Sequence, residues 1–191
     1  MSRILTYTKK MFDPIHPQPE LIDIRDIAHA LSMLCRANGH FHSFHSVGQH
    51  SIHCMKEARA RGYSRRLQLA CLLHDASEAY LSDVTRPVKA ELPRYKEIEA
   101  PLQEMIWNKW LDEPLSTQEL IQVFQIDDAI LAHEFLNLMG EKIADPIPEI
   151  CSVPQFAFTG FDVCKQQFLR LFRQLTIGKK ECFAIGIDWM K

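Results

Sequence analysis

The chain has 191 residues, 47% of them hydrophobic and 24% charged, which is the make-up of an ordinary globular protein. A domain of this size buries roughly 70% of its unfolded surface, so it needs no disulfide or metal to hold its core, and a metal found here need not be structural. Lys and Arg number 22 against 24 Asp and Glu, a net charge of −2 with no single-sign block, which counts against a nucleic-acid backbone binder. No apolar run approaches the roughly 18 residues of a membrane span, and the first twenty residues lack the apolar core of a signal peptide, so a cytosolic protein is expected.

Glycine and proline are thinly spread, and apolar residues recur at three- and four-residue spacing, which predicts an all-α fold. The first twenty residues, with Pro14, Pro17 and Pro19, read as extended or looped. A helix is expected from about Leu21 to Ala37, stopped by Asn38-Gly39, followed by a His-rich loop. A second helix spans about Val47 to Arg61 with Gly62 as its stop, and a third begins after Ser64, a good N-cap, and runs to about Leu81. Thr85-Arg86-Pro87 breaks it. Further helices are expected at about Tyr95 to Trp110, Ser116 to Met139 (closed by Gly140) and Asp162 to Leu175, with Ala144 to Pro154 as a loop. Cys182-Phe183-Ala184-Ile185 reads as a short strand or an apolar tail. No repeat, low-complexity tract or composition shift divides residues 1–191, so one domain is expected, with its motif-bearing core at about 21–139 and a helical extension at 140–191.

Six cysteines without a C-x-x-C pair read as reduced thiols. The unusual count is histidine. Seven of the nine, His29, His40, His42, His45, His50, His53 and His74, fall within one 46-residue stretch. Histidine is the commonest metal ligand and the proton handler of neutral pH.

The third predicted helix is apolar on nearly every face, which implies burial. His74, Asp75 and Glu78 would then be ionisable groups in an apolar setting, where an uncompensated charge costs several kcal/mol. A polar core cluster would satisfy one of them. All three together fit a divalent cation or a catalytic site more readily. His50 shares a helical stripe with Val47, Cys54 and Ala58 and points inward, and His53 is a rival ligand three residues on. A further donor is expected from Asp127 or Asp128. The first falls with Leu120, Val123, Leu131 and Leu138 and the second with Ile121, Ala132 and Phe135, so periodicity leaves both open.

The order His50, His74-Asp75, Asp127 resembles the H…HD…D signature of the HD-domain metal-dependent phosphohydrolases. The surrounding text sharpens the likeness: Ser46-Val47-Gly48-Gln49-His50-Ser51, His74-Asp75-Ala76-Ser77-Glu78-Ala79 and Asp83-Val84-Thr85-Arg86-Pro87-Val88-Lys89 are similar to the bacterial 5′-deoxynucleotidase branch and its prophage-type relatives. The resemblance covers about Leu21 to Met139. It implies a compact multi-helix bundle with the metal held between helices by His50, His74, Asp75 and Asp127. The choice of Asp127 over Asp128 rests on the family's apolar residue before the ligand Asp. It also implies Asp75 and Glu78 in catalysis, Glu78 as an acid or base, and Arg36, in Cys35-Arg36-Ala37-Asn38-Gly39-His40, as a phosphate contact. Asp83 and Lys89 match positions near the substrate. The chain departs from the pattern at His45, where an acid is common, and at Ala37, where an aromatic is common. His40, His42 and His45 are either substrate-phosphate donors replacing those groups or exposed loop residues.

What the resemblance implies is hydrolysis of a (deoxy)nucleoside 5′-monophosphate by metal-activated water. Two imidazoles and two carboxylates suit one divalent ion, Mn, Co, Fe, Ni, Zn or Mg. An HD-type phosphodiesterase or guanosine-polyphosphate hydrolase is the alternative enzyme, and a nucleotide- or metal-binding sensor the non-enzymatic one. The expected partner is a small nucleotide, with neither nucleic acid nor membrane, and a homodimer stays open.

Overall fold

The structure, a computed structural model, describes residues 3–177. Among the described residues eight α-helices, two short 3-10 turns (Pro19–Leu21 and Arg36–Gly39) and one two-stranded hairpin make up its regular structure, so the expected all-α class holds. They are β1 (Ile4–Leu5), β2 (Met11–Phe12), α1 (Ile24–Met33), α2 (Val47–Ala60), α3 (Arg65–Leu72), α4 (Glu78–Leu81), α5 (Arg86–Ala90), α6 (Pro93–Trp110), α7 (Thr117–Met139) and α8 (Phe161–Thr176).

The N-terminal segment, expected to be extended or looped, forms an antiparallel hairpin pairing Ile4 with Phe12 and Leu5 with Met11. Tertiary contacts hold it, since two residues per strand carry little stability of their own. The Thr8 backbone N–H donates to Asp26 at 2.6 Å and its hydroxyl to the same carboxylate at 2.9 Å. Phe12 is fully buried and stacks on Tyr80 with ring centroids 4.1 Å apart.

α1 ends at Met33, short of the predicted Ala37. Cys35 instead pairs across to Ser46, and the Arg36 N–H donates to the His45 carbonyl at 2.9 Å. Ala37, Asn38 and Gly39 all take positive φ inside the turn so closed. The His-rich loop is therefore pinched at its base, with Arg36 and His45 side by side.

Ser46 then starts α2 with a capping box closed by Gln49. α2 is the central helix, packed on α1, α3, α7 and α8. Gly48 permits this closeness: a Cβ there would stand 3.0 Å from Cys164 Sγ and 3.2 Å from the Leu31 carbonyl. α7 carries a second capping box, Ser116 with Glu119, and Gly140 closes it in the left-handed conformation at φ 76°.

The predicted third helix is the main departure. It breaks after Leu72, and residues 73–77 form turns before α4. Polar side chains explain the break. The His74 ring takes the Cys71 carbonyl at 2.8 Å, and Gln103 of α6 donates to the Leu73 carbonyl at 2.8 Å and accepts from the Ser77 N–H at 3.0 Å. Side chains thus replace part of the backbone ladder in a buried segment whose polar groups must be satisfied. Periodicity alone could not show this, because the apolar pattern runs straight through it.

The largest fully buried side chains include Phe12, Leu31, Ile52, Leu72, Ile106, Phe168 and Phe172, so α8 contributes to the same core as α1 to α3. Cys54, Cys71 and Cys164 are buried thiols, whereas Cys151 is exposed. Among the described residues no helix is long and apolar enough to cross a membrane. The segment Cys182-Phe183-Ala184-Ile185 lies outside the described residues.

Candidate functional site

Three parts of the chain bring their polar groups to one point. α2 supplies His50, the turn between α3 and α4 supplies His74 and Asp75, and α7 supplies Asp127. His50 Nε2 lies 3.2 Å from His74 Nε2 and 3.0 Å from Asp127 Oδ1. Asp75 Oδ2 lies 3.2 Å from His74 Nε2 and 3.8 Å from His50 Nε2. Of the two acids the sequence left open, Asp127 has 15% side-chain exposure and faces the cluster, while Asp128 has 57% and pairs with Arg86 at 2.6 Å.

These spacings test whether an ion fits. A tetrahedral or octahedral shell with bonds of about 2.1 Å has ligand-to-ligand edges of about 3.0–3.4 Å, and the three shortest contacts, 3.0, 3.2 and 3.2 Å, match. The buried thiol of Cys54, one turn after His50, adds a soft donor 3.5 Å from His50 Nε2. His50, Cys54, His74 and Asp127 are a group that could hold a metal ion. Both histidines have their other nitrogen occupied, His74 Nδ1 by the Cys71 carbonyl and His50 Nδ1 by Glu134 at 2.8 Å, so each turns Nε2 to the cluster.

The electrostatics follow from this crowding. Burial pushes every carboxylate up, but the imidazoles overcome it: His74 holds Asp75 at about 2, and hydrogen bonds from His50 and His74 hold Asp127 well below the usual range. In turn His50 and His74 are raised despite burial, by Glu134 and Asp127 in one case and by Asp75 and Asp127 in the other. Glu78 goes the opposite way. It is buried, and burial together with the charges of Asp75 and Asp83 keeps its pKa well above normal. Its Oε1 is 3.6 Å from Lys89 Nζ, and its Oε2 has no partner.

A cleft of about 750 Å³ opens above the cluster. Its lining includes Arg36, His74, Asp75, Glu78, Asp83, Lys89 and Asp127, so seven of the residues singled out in sequence share one cavity, with His50 beneath its floor. Phe41, Trp107, Phe124 and Phe135 give it aromatic walls.

The loop histidines fare differently. His45, expected as either a substrate-phosphate donor or an exposed loop residue, is neither: it is fully buried and absent from the cleft lining, and its Nε2 meets Glu134 at 3.1 Å. The pinched base of the loop turns it inward. His40 and His42 are exposed and also lie outside the lining. His53 sits beside His45 and Phe156, away from His50 Nε2, and burial lowers its pKa to about 3.

Sequence reasoning missed Glu134, Arg86 and Gln103. Glu134 is fully buried and takes His50, His45 and, at 3.2 Å, Arg36. Its signal was available: seven residues after Asp127 it falls on the same face of α7 as Ile130 and Leu138. Arg86 binds Asp127 Oδ2 at 2.7 Å. Arg86 lies inside the Asp83-to-Lys89 run that carries the resemblance, where it was read only as part of a helix break, and Gln103 carries no pattern in the sequence. His45, His53 and Glu134 form a second close group, but its carboxylate already accepts from three donors.

No family model matches the chain. It is 34% identical over 128 residues to the uncharacterized protein YfdR of Escherichia coli (strain K12), across 64% of this chain and 69% of that protein. It is also 41% identical over 88 residues to the uncharacterized protein RCAP_rcc00048 of Rhodobacter capsulatus, across 44% of each.

Proposed function

The chain belongs to the family of Escherichia coli YfdR, and from the geometry of its site we propose that it is an HD-type, metal-dependent phosphohydrolase acting on (deoxy)nucleoside 5′-monophosphates. The observation that carries this reading is the convergence of His50, His74, Asp75 and Asp127 at the base of a cleft that also holds Arg36, Lys89 and Glu78. These four residues would hold a borderline divalent ion. When bound, such an ion supplies Lewis-acid polarisation of a phosphoryl oxygen and acidifies water.

The other groups divide the remaining work. Arg36, a planar fork of donors, and Lys89, a point charge, bind phosphoryl oxygens and offset the charge that grows there in the transition state. Burial and the charges of Asp75 and Asp83 raise the Glu78 pKa, which favours its protonated form. Its unpaired Oε2 is thus a proton source for the 5′ oxygen as that oxygen leaves. The aromatic walls suit a base and sugar better than a bare phosphate, since stacking on aromatic faces accepts any base.

The test is phosphate release from a panel of nucleoside monophosphates with several metals, with cyclic nucleotides and guanosine polyphosphates alongside. Wild-type protein is expected to release phosphate from the 5′-monophosphates only with metal. His74→Ala and Asp75→Ala are expected to abolish release with helicity unchanged. Activity retained in either variant refutes the reading, and tight nucleotide binding without turnover under any metal would replace it with a sensor.

A further inference from the structure

Glu134 is a buried charge that neither the ligand set nor the hydrolysis uses. It lies two turns beyond Asp127 on α7, about 10.5 Å along the axis at about 1.5 Å per residue, and it is fully buried. Its two oxygens are divided between different parts of the site. Oε1 meets His50 Nδ1 at 2.8 Å and His45 Nε2 at 3.1 Å, and Oε2 meets Arg36 at 3.2 Å.

Resting on the reading of this site as a metal-dependent phosphohydrolase, we propose that Glu134 is a positioning residue that couples the metal subsite to the phosphate subsite. It orients the His50 ring through one oxygen and the Arg36 guanidinium through the other.

The argument is one of donors and acceptors. An ionised carboxylate can only accept, so each of its three partners must present an N–H. His50 therefore keeps an N–H at Nδ1, and Nε2 is the nitrogen turned to His74 and Asp127, where by the same rule it donates to Asp127 and would give up that proton to a metal. α7 grips that imidazole at both nitrogens, with Asp127 on one and Glu134 on the other, which leaves the ring no freedom to rotate. The same helix holds Arg36 through Oε2, while Asp75 stands 3.6 Å from the other guanidinium nitrogen. Arg36 is thus spanned between a ligand carboxylate and the carboxylate that orients a ligand histidine. His45 completes the arrangement. The backbone pairing of Arg36 with His45 sets the two side by side, and both reach the same buried carboxylate. A residue that only balanced the Arg36 charge would have no reason to share an oxygen with His50.

Glu134→Gln keeps the shape but makes one arm of the fork a donor, which must then face an N–H of Arg36 or of the histidines. The experiment measures Mn²⁺ affinity by titration, and inorganic phosphate affinity at saturating Mn²⁺, in wild type, Glu134→Gln and Arg36→Lys. In Glu134→Gln the Mn²⁺ affinity is expected to fall about 10- to 100-fold and the phosphate affinity about tenfold. Arg36→Lys is expected to lose phosphate affinity while its Mn²⁺ affinity stays within about threefold. A Glu134→Gln protein that melts earlier but binds both ions as wild type does overturns the proposal, and so does one that loses Mn²⁺ affinity alone. Should that variant not fold, Glu134→Asp keeps the charge but draws the carboxylate back by one methylene from His50 and Arg36, and unchanged affinities there overturn it equally. Wild-type protein that binds both ions but hydrolyses no phosphomonoester overturns the proposed function only, and the Glu134→Gln affinities still decide the coupling. Wild type that binds neither ion overturns both.

Discussion

Gln103→Leu tests the feature on which the site most depends, the break between α3 and α4. The Gln103 amide satisfies two buried backbone groups, the Leu73 carbonyl at 2.8 Å and the Ser77 N–H at 3.0 Å. Leucine is close in size but offers no polar atom, so both groups lose their partner at once. Each buried group so orphaned costs about 1–3 kcal/mol. Gln103 borders the cleft, where water can reach part of the loss, so the lower half of the sum applies, about 2–4 kcal/mol. For a chain of this length that lowers the melting temperature by about 4–16 °C, at roughly 2–4 °C per kcal/mol. The turn carries His74 and Asp75, so Mn²⁺ affinity should fall at least tenfold in the same variant. Thermal unfolding by circular dichroism gives the first number and metal titration the second. A Gln103→Leu protein with an unchanged melting point and unchanged Mn²⁺ affinity refutes the reasoning, because it would mean that the segment holds its shape without the side chain.

Other outcomes follow from the same geometry. Without metal, the lowered pKa values of Asp75, Asp127 and Glu134 contribute stability that is present above the ordinary carboxylate range and lost as pH falls through the folded values. The raised pKa values of His50 and His74 contribute stability that is complete below about pH 6.5 and lost as pH rises through the folded values. Urea midpoints measured with a chelator should therefore peak between roughly pH 4 and 6.5, and a midpoint still climbing at pH 8 would contradict this. Mn²⁺ must displace protons from both histidines, so its affinity should rise with pH across the neutral range, and a pH-independent titration would count against the ligand assignment. Phe124→Ala, which opens an aromatic wall of the cleft, should raise KM for nucleotides about tenfold yet leave KM for a small aliphatic phosphomonoester unchanged; equal effects on both would exclude a base-binding wall. Alkylation of the native protein, mapped by mass spectrometry, should modify Cys151 and spare Cys54, Cys71 and Cys164. Modification of Cys54 before unfolding would show that the cluster is more open than described.

Much of the architecture was legible because it depends on local chemistry. Ser46 and Ser116 announce α2 and α7 through capping oxygens, and Gly140 closes α7 because the left-handed conformation there suits a residue without Cβ. The inward stripe of α2 located His50, and the excess of ionisable groups on an apolar segment located His74, Asp75 and Glu78. The hairpin was not legible, since its strands are too short to alternate and are held by Asp26 and Tyr80 from distant parts of the chain. The break after Leu72 was not legible either, because the bonds that replace the helix ladder come partly from Gln103, thirty residues away.

Ordering the candidates needed the fold. Residue type and spacing alone nominated His50, His74, Asp75 and an acid from the pair Asp127 and Asp128, since a buried charge demands compensation wherever it lies. Which acid faces inward depends on the rotation of α7 about its own axis, and that is set by what α7 packs against. Where the loop histidines go depends on the pairing of Arg36 with His45, which turns one of them beneath the cleft and leaves His40 and His42 outside it. Glu134 became meaningful only when folding set a carboxylate from α7 between a histidine of α2 and an arginine of the preceding loop. Contacts between residues 84 to 98 positions apart leave no periodic trace in the chain.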